Sequence, residues 1–213
     1  MRSADVVEAI RVALILLVVY LIIARFNPIA VVIMLATAFV LDAIDGYFAV
    51  YEQSKGKMGF GTYLSSMLGN SSATAQLIRY KEGISKSAFY GPRMDVAGDR
   101  ITEYVLFAVF VYLNIVPLFV FFVVIIVHSI ADAMFGAKGT SSKMKSKFAR
   151  LVYSSNAGRG GINVVKVVTF AYLSLVYLAQ WPIPIGYALV SILVAYITIR
   201  GIAEIYEAAR STK

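Results

Sequence analysis

Long apolar runs, separated by short polar or proline-containing turns, dominate the hydropathy pattern of the chain. A helix needs about 20 apolar residues to cross a bilayer, and several runs reach that length. The pattern therefore predicts an all-α integral membrane protein with six transmembrane helices, in which residues 1–213 form a single six-span membrane domain. The six runs lie at about 6–25, 28–50, 92–113, 116–135, 162–180 and 183–207.

The composition supports the class of membrane protein and excludes chemistry that needs cysteine. Hydrophobic residues make up 60% of the chain and the mean hydropathy is +0.77, whereas a soluble domain is nearer half apolar. The chain has no cysteine, so disulfides and thiolate chemistry are excluded. No small-residue cleavage site follows the first apolar run, which we therefore interpret as a retained helix rather than a signal peptide.

The distribution of charge predicts the topology. The chain carries 20 Lys and Arg against 12 Asp and Glu, a net charge of +8. Basic residues concentrate at 51–101 and 136–166, whereas the connections 113–117 and 179–186 have none. By the positive-inside rule the basic segments are cytoplasmic, and an even number of spans puts both termini there as well. We expect a multi-pass protein of the cell membrane that binds membrane lipids and no nucleic acid.

Two of the connections predicted to be cytoplasmic are long. The first, an insertion at about 51–90, has a helical stripe of apolar residues followed by the polar break GNSSATAQ at 69–76. The stripe indicates an amphipathic helix on the membrane surface; the alternative is a solvated loop with a local apolar face. The stripe consists of Phe60, Tyr63, Leu64, Met67 and Leu68.

The second connection, at about 136–161, is basic and rich in Ser and Gly, and we expect it to bind an anionic ligand or lipid headgroups.

Four aspartates interrupt the apolar pattern near one side of the predicted membrane. Asp42 and Asp45 are three residues apart near the end of the second run, and Asp95 and Asp99 are four apart at the start of the third. A helix rises about 1.5 Å per residue, so both pairs lie near the cytoplasmic edge, and the members of each pair share a helix face. The spacing predicts a polar cavity on the cytoplasmic side of the bundle.

Four carboxylates in one cavity need positive charge among them. Hard divalent cations meet this need, because Mg²⁺ binds carboxylate oxygens together with substrate phosphates. Gly46 and Gly91 remove side chains beside the acids, which lets a ligand approach the backbone closely. The acids are therefore candidate ligands of Mg²⁺ or Mn²⁺. The structural alternative is that each pair caps a helix or is neutralised by a nearby arginine.

These residues resemble the signature of the CDP-alcohol phosphotransferase family, D-x2-D-G-x2-A-R-x8-G-x3-D-x3-D. The first part appears as D-A-I-D-G-Y-F-A at 42–49 and the second as G-P-R-M-D-V-A-G-D at 91–99. The family's six-span architecture matches the count of apolar runs. The chain departs from the signature twice. Val50 replaces the arginine, and Gly91 lies 45 positions after Gly46 where the signature has 13, so that 32 residues are inserted.

The resemblance implies an enzyme of phospholipid synthesis. It would move a phosphatidyl-type group from a CDP-linked lipid to a polyol hydroxyl and release CMP. It implies that Asp42, Asp45, Asp95 and Asp99 bind the divalent metal, and that Asp99 is the catalytic base that takes the hydroxyl proton. Members of the family tend to form dimers, so we expect a homodimer, with the third and fourth spans as the candidate interface.

The resemblance also implies a nucleotide site beside the acids. Its candidate residues are Gly46, Ala49, Gly91 and Asp95, with the two glycines making room for the cytidine and its ribose. The family arginine lies near the phosphates of the nucleotide, and three basic residues are candidates to replace it here. They are Arg79, Lys81 and Arg93.

Basic residues near the predicted cavity are candidates for binding the phosphate of a phosphorylated polyol, such as inositol phosphate or glycerol phosphate. They are Lys138, Arg159 and Arg200. Arg200 interrupts the last apolar run at about the depth of the acids, and an arginine inside a span is a functional candidate. The alternatives are that Arg200 pairs with Asp132 or Glu204 or snorkels to the headgroups, and that Arg159 is an ordinary loop charge.

Three other functions remain open from the sequence. One is a transferase that uses a soluble CDP-alcohol as donor, and a second is a catalytically inactive scaffold. The third is a divalent-cation transporter that uses the same acids. Transporter sites tend to lie near the bilayer midplane on broken helices, whereas these acids lie near one face.

Overall fold

The computed structural model describes residues 3–67, 70–87, 91–136 and 156–210, which form eight helices. Within these ranges the side chains of residues 4, 43, 45, 67, 81–87, 91–95, 135–136, 156–160 and 210 are not described. The helices are α1 (Ser3–Ile23), α2 (Pro28–Gln53), α3 (Phe60–Met67), α4 (Ser71–Ser87), α5 (Gly91–Tyr112), α6 (Leu118–Gly136), α7 (Asn156–Ala179) and α8 (Ile183–Arg210).

The long helices coincide with the predicted apolar runs. In the part of the chain that the structure describes, α1, α2, α7 and α8 are long and apolar enough to cross a membrane. The apolar part of α6, Leu118–Met134, is shorter, and α5 begins with the charged motif at 91–100. The class of helical membrane protein is thus confirmed with four candidate spans, and the count of six stays a prediction.

Tight connections make consecutive long helices antiparallel neighbours. Asn27 caps α2, since its Oδ1 accepts hydrogen bonds from the backbone N–H groups of Ile29 and Ala30, and Pro28 begins the helix where no N–H partner is needed. Asn114, between α5 and α6, has a φ of 58°, a left-handed conformation that asparagine tolerates well. Both connections are tight turns, as the short proline-containing breaks between the apolar runs predict.

The helices pack around one apolar core. α1 packs against α2 and α5, α2 against α7, α7 against α8, and α6 against α5 and α8. Phe170 of α7 is fully buried at the centre, with the rings of Phe107, Phe110 and Phe39 at centroid distances of 5.2, 6.3 and 6.4 Å. Large apolar side chains also cover the outside, among them Ile29, as expected where lipid replaces water.

The insertion folds as a pair of packed helices, α3 and α4, against the C-terminal half of α2. We call α3 and α4 the inserted helix pair. The predicted amphipathic helix is present as α3, with Tyr63 buried against Val50 of α2 and with Phe60 and Leu64 exposed. The predicted polar break at 69–76 is wrong for 71–76, which are helical. Asn70 starts α4, because its Oδ1 accepts from the backbone N–H of Ser72 and of Ala73.

Candidate functional site

Two of the four aspartates of the motif meet at a third side chain, Arg11 of α1. Arg11 Nη1 contacts Asp42 Oδ1 of α2 and donates a hydrogen bond of 2.9 Å to Asp99 Oδ1 of α5. Its Nη2 donates to Glu8 Oε1, one turn earlier on α1, at 2.6 Å. The guanidinium is buried, with 2% of the side chain exposed. Side chains from α1, α2 and α5 therefore meet at the Arg11 guanidinium.

A fourth helix contributes an amide to the same point. Asn163 of α7 donates from Nδ2 to Asp42 Oδ2 at 3.2 Å, so that both oxygens of Asp42 have partners. We call Glu8, Arg11, Asp42, Asp99 and Asn163 the acidic cluster. Asp42 is the more enclosed of its two aspartates, with 13% of the side chain exposed against 37% for Asp99. Of the two aspartates in the cluster, one is thus enclosed and the other is accessible.

Gly98 makes this arrangement sterically possible. A Cβ on Gly98 would overlap the Glu8 carboxylate and would lie 3.0 Å from Arg11 Nη2. The absence of a side chain therefore lets the backbone of α5 lie directly against the ion pair on α1. The same close approach of α5 to α1 places the neighbouring Asp99 beside Arg11.

We expect Gly98→Ala to displace Glu8 and Arg11 and to lower the free energy of unfolding by about 1–3 kcal/mol, as other overpacked sites do. Thermal unfolding in detergent measures the change. Gly61→Ala is the matched control, because a Cβ at that helical position meets nothing within 4 Å. A Gly98→Ala variant as stable as Gly61→Ala would contradict the packing described for α1 and α5.

The other two aspartates of the motif lie on the same helices. Asp45 is three residues after Asp42 on α2, and Asp95 is four residues before Asp99 on α5. Their side chains lie outside the described part of the structure, as does the environment of Gly91 at the start of α5. The structure thus brings Asp42 and Asp99 together, and the roles of Asp45, Asp95 and Gly91 stay predictions.

The inserted helix pair covers the predicted nucleotide side of α2. The hydroxyl oxygen of Tyr63 lies 2.8 Å from the place that a Cβ on Gly46 would take, so this hydroxyl fills the gap that glycine leaves. Val50 is fully buried with Met58 and Tyr63. An arginine at position 50 would be buried in this apolar cluster, which accounts for the valine. Ala49 is half-buried on α2.

Two of the three candidate acceptor residues belong to described helices. Lys138 lies outside the described residues, and Arg159 is in the first turn of α7 with its side chain outside them. Arg200 is half-buried on α8, four residues before the buried Glu204. Arg200 and Glu204 both take part in electrostatic or hydrogen-bonding contacts, so the binding role of Arg200 stays a prediction.

A second set of polar and charged side chains in contact begins one residue after Asp99. Glu103 of α5 is 1% exposed and contacts Lys166 Nζ of α7. His128 Nε2 of α6 lies 3.5 Å from Glu103 Oε2, and Arg100 Nη1 lies 3.8 Å from Glu103 Oε1. Arg100 also donates from Nε and Nη2 to the two oxygens of Asp132, at 2.7 and 2.8 Å. We call these five residues the Glu103 network.

The Glu103 network gives structural partners to two residues of the positive-inside charge pattern. Arg100 and Lys166 belong to the basic segments 51–101 and 136–166 of the charge pattern, but both lie in helices beside carboxylates, and Lys166 is only 6% exposed. Interior carboxylates explain their positions, since a buried cation is stable beside a paired anion. Asp132, offered as a partner of Arg200, is bound by Arg100 through two hydrogen bonds.

The acidic cluster partly fits a divalent cation. In the described residues, no group of three or more His, Asp or Glu side chains is arranged as a metal site. Asp42 Oδ1 and Asp99 Oδ1 nevertheless touch the same nitrogen, so two carboxylate oxygens from different helices already converge on one positive charge. These two aspartates are the described residues that fit Mg²⁺ or Mn²⁺, whose preferred ligands are such oxygens.

Three residues of the site were not found by sequence reasoning. Glu8 and Arg11 lie in the first apolar run, three residues apart, and the rule that singles out an arginine inside a span applies to Arg11 as well as to Arg200. Asn163 carries no such signal, because an amide near the start of a helix is common. The alternative that a nearby arginine neutralises the acids is realised at Asp42 and Asp99 by Arg11.

Comparison of the chain with protein-family models, with curated proteins and with solved structures gives no match.

Proposed function

We propose that this protein is a divalent-metal-dependent CDP-alcohol phosphotransferase of phospholipid synthesis. It transfers a phosphatidyl-type group from a CDP-linked lipid to the hydroxyl of a polyol, in particular a phosphorylated polyol such as inositol phosphate or glycerol phosphate, and releases CMP. The observation that carries the proposal is that Asp42 and Asp99, the first and last acids of the motif, lie on different helices and both contact the Arg11 guanidinium.

Charge at the cluster supports this proposal over a purely structural ion pair. One aspartate is enough to neutralise an arginine, but Arg11 contacts three carboxylates. These four side chains carry a formal charge of −2. Negative charge beside the apolar core favours a divalent cation. Asp42 and Asp99 would hold it together with Asp45 and Asp95, and the bound ion would neutralise charge on the diphosphate and on the departing CMP.

The environments of the two described aspartates suit different roles. Asp42 is enclosed and held through both oxygens by Arg11 and Asn163, as suits a fixed ligand. Asp99 is more than a third exposed, so an acceptor hydroxyl can reach it. We assign Asp99 as the base that takes the proton from that hydroxyl. The acceptor oxygen forms its bond to the phosphorus attached to the lipid, and the bond to CMP breaks with its electron pair on the CMP oxygen.

The donor would lie along the C-terminal part of α2. Gly46, Ala49, Gly91 and Asp95 are the proposed nucleotide contacts, and the Tyr63 hydroxyl beside Gly46 would form part of that wall. Because the acids belong to membrane helices, the lipid tails of the donor can stay in the bilayer while its headgroup reaches the cluster. The proposed orientation places the cluster and both termini on the cytoplasmic side of the cell membrane.

The acceptor would bind through basic residues, with Lys138, Arg159 and Arg200 as the proposed phosphate contacts. The protein is proposed to act as a homodimer, with α5 and α6 as the candidate interface.

We expect Arg200→Ala to raise the KM for a phosphorylated polyol by about tenfold or more, because a charge-assisted contact to phosphate is lost. The KM for the CDP-linked donor should change much less. Initial rates of CMP release at varied acceptor and varied donor measure the two constants. Lys57→Ala, at an exposed position, is the control. A larger effect on the donor than on the acceptor would contradict the assignment.

The proposed activity is tested with purified protein, CDP-diacylglycerol and Mg²⁺, against a panel of polyols and polyol phosphates, with CMP as the readout. We expect CMP to form with one acceptor class and to stop when EDTA removes the metal. CMP from a soluble CDP-alcohol alone would favour the alternative donor. No CMP with any donor and acceptor would contradict the proposal.

A further inference from the structure

The position of Arg11 has a consequence for metal binding that the family motif does not contain. Arg11 Nη1 touches Asp42 Oδ1 and Asp99 Oδ1 together, and the side chain is almost completely buried. Two hydrogen-bond lengths of about 3 Å bound the separation of these oxygens at about 6 Å. The Arg11 guanidinium is therefore the positive charge that links the aspartate of α2 to the aspartate of α5.

We infer that Arg11 is a built-in counter-ion that holds Asp42 and Asp99 in place without metal and competes with the metal for them. The inference rests on the proposed metal-dependent function, and it concerns how that site is regulated. It assigns to α1 a role that lies outside the motif, which is confined to α2 and α5.

Geometry makes the competition necessary. Mg²⁺ binds carboxylate oxygens at about 2.1 Å, whereas a guanidinium nitrogen stays about 2.9 Å away from each oxygen. A metal ion held by Asp42 and Asp99 would share these carboxylates with the Arg11 guanidinium, and two positive charges so close together would repel each other strongly. Arg11 would therefore weaken its contact with at least one of the two aspartates when the metal binds.

Glu8 can keep its ion pair with the guanidinium after Arg11 has moved away from an aspartate. It lies one turn before Arg11 on the same helix and binds Nη2, the nitrogen that does not contact the aspartates in the described pairs. Arg11 can thus keep Glu8 as a partner while its Nη1 leaves the metal ligands. Without metal, the same arginine prevents Asp42 and Asp99 from repelling each other, so the ligands stay oriented for the next ion.

The test is direct binding of Mn²⁺ to the detergent-solubilised protein without substrate, with free Mn²⁺ measured by electron paramagnetic resonance. We expect Arg11→Met to bind Mn²⁺ about tenfold or more tightly than the wild type, since the competing charge at the site is gone. We also expect the thermal stability of Arg11→Met to depend on Mn²⁺ far more than that of the wild type, because three carboxylates lose their common cation.

A control variant separates competition at the site from the general effect of removing an arginine–carboxylate pair nearby. Arg100→Met combined with Asp132→Asn removes a neighbouring bidentate pair without changing the net charge and should alter Mn²⁺ affinity by less than about threefold. Arg11→Lys keeps the charge but not the fork of the guanidinium, so we expect it to fold and to bind Mn²⁺ more tightly than the wild type and less tightly than Arg11→Met.

Unchanged or weaker Mn²⁺ binding in Arg11→Met would overturn the inference. If Arg11→Met does not fold, the same outcome in Arg11→Lys would overturn it. The proposed function fails separately, through absence of CMP release. Tighter Mn²⁺ binding in the Arg11 variants without CMP release would support the counter-ion role while removing the transferase.

Discussion

Asp99→Asn is expected to lower the rate of CMP release by about two to four orders of magnitude, the usual contribution of a general base. The amide keeps the shape of the carboxylate but cannot take the proton of the acceptor hydroxyl. Arg11 retains Asp42 and Glu8 as partners, so we expect the variant to fold. The rate is measured with purified protein in detergent, with thermal unfolding as the test of folding.

Asp132→Asn is the matched control for Asp99→Asn. Asp132 lies on α6, is about one-third exposed, and is bound by Arg100 rather than by Arg11. The same chemical change there should leave CMP release near the wild-type rate. Undiminished CMP release by Asp99→Asn would remove Asp99 as the base.

Lys166→Met is expected to give the largest loss of stability, about 3 kcal/mol in the free energy of unfolding. Glu103 would stay buried without the cation that contacts it most closely, and Arg100 and His128 lie farther away. Methionine matches the apolar stem of lysine, so the loss reports the charge rather than a cavity. Unfolding of the purified protein in detergent by heat and by denaturant measures the change.

A second substitution should restore much of that stability. In Lys166→Met combined with Glu103→Met, both charges are gone, and Arg100 keeps its two hydrogen bonds to Asp132. Replacing a whole buried pair by apolar residues is often neutral, whereas removing one partner is costly. Lys57→Met at an exposed position is the control, expected within about 0.5 kcal/mol of the wild type. A double variant less stable than Lys166→Met would contradict the description of the Glu103 network.

The sequence predicts the helical membrane class and the places of the long helices because hydrophobic periodicity is a local property. The common layer of Asp42 and Asp99 also follows from local facts, namely the position of each acid in its helix and the side from which each helix is predicted to enter. That reasoning works because a helix rises by a constant amount per residue. It predicts the layer in which a side chain lies without giving the identity of its neighbours.

The parts that escape prediction depend on which helix faces which. Arg11 belongs to the acidic cluster only because α1 packs against both α2 and α5, and Gly98 permits the close approach. No pattern within α1 contains that information. The packing of the inserted helix pair also escapes prediction, since the burial of Tyr63 and Val50 comes from packing of α3 on α2. An apolar stripe alone does not distinguish lipid from protein as its partner.

The central claim is that Asp42 and Asp99 act as one site, and the most direct measurement compares CMP release by the wild type, Asp42→Asn, Asp99→Asn and the double variant at saturating Mg²⁺. Losses from residues that work as a unit are not additive. The account predicts metal-dependent CMP release by the wild type and a double variant no slower than the slower single variant. It would be contradicted if the wild type released no CMP, or if the two losses multiplied as they do for independent sites.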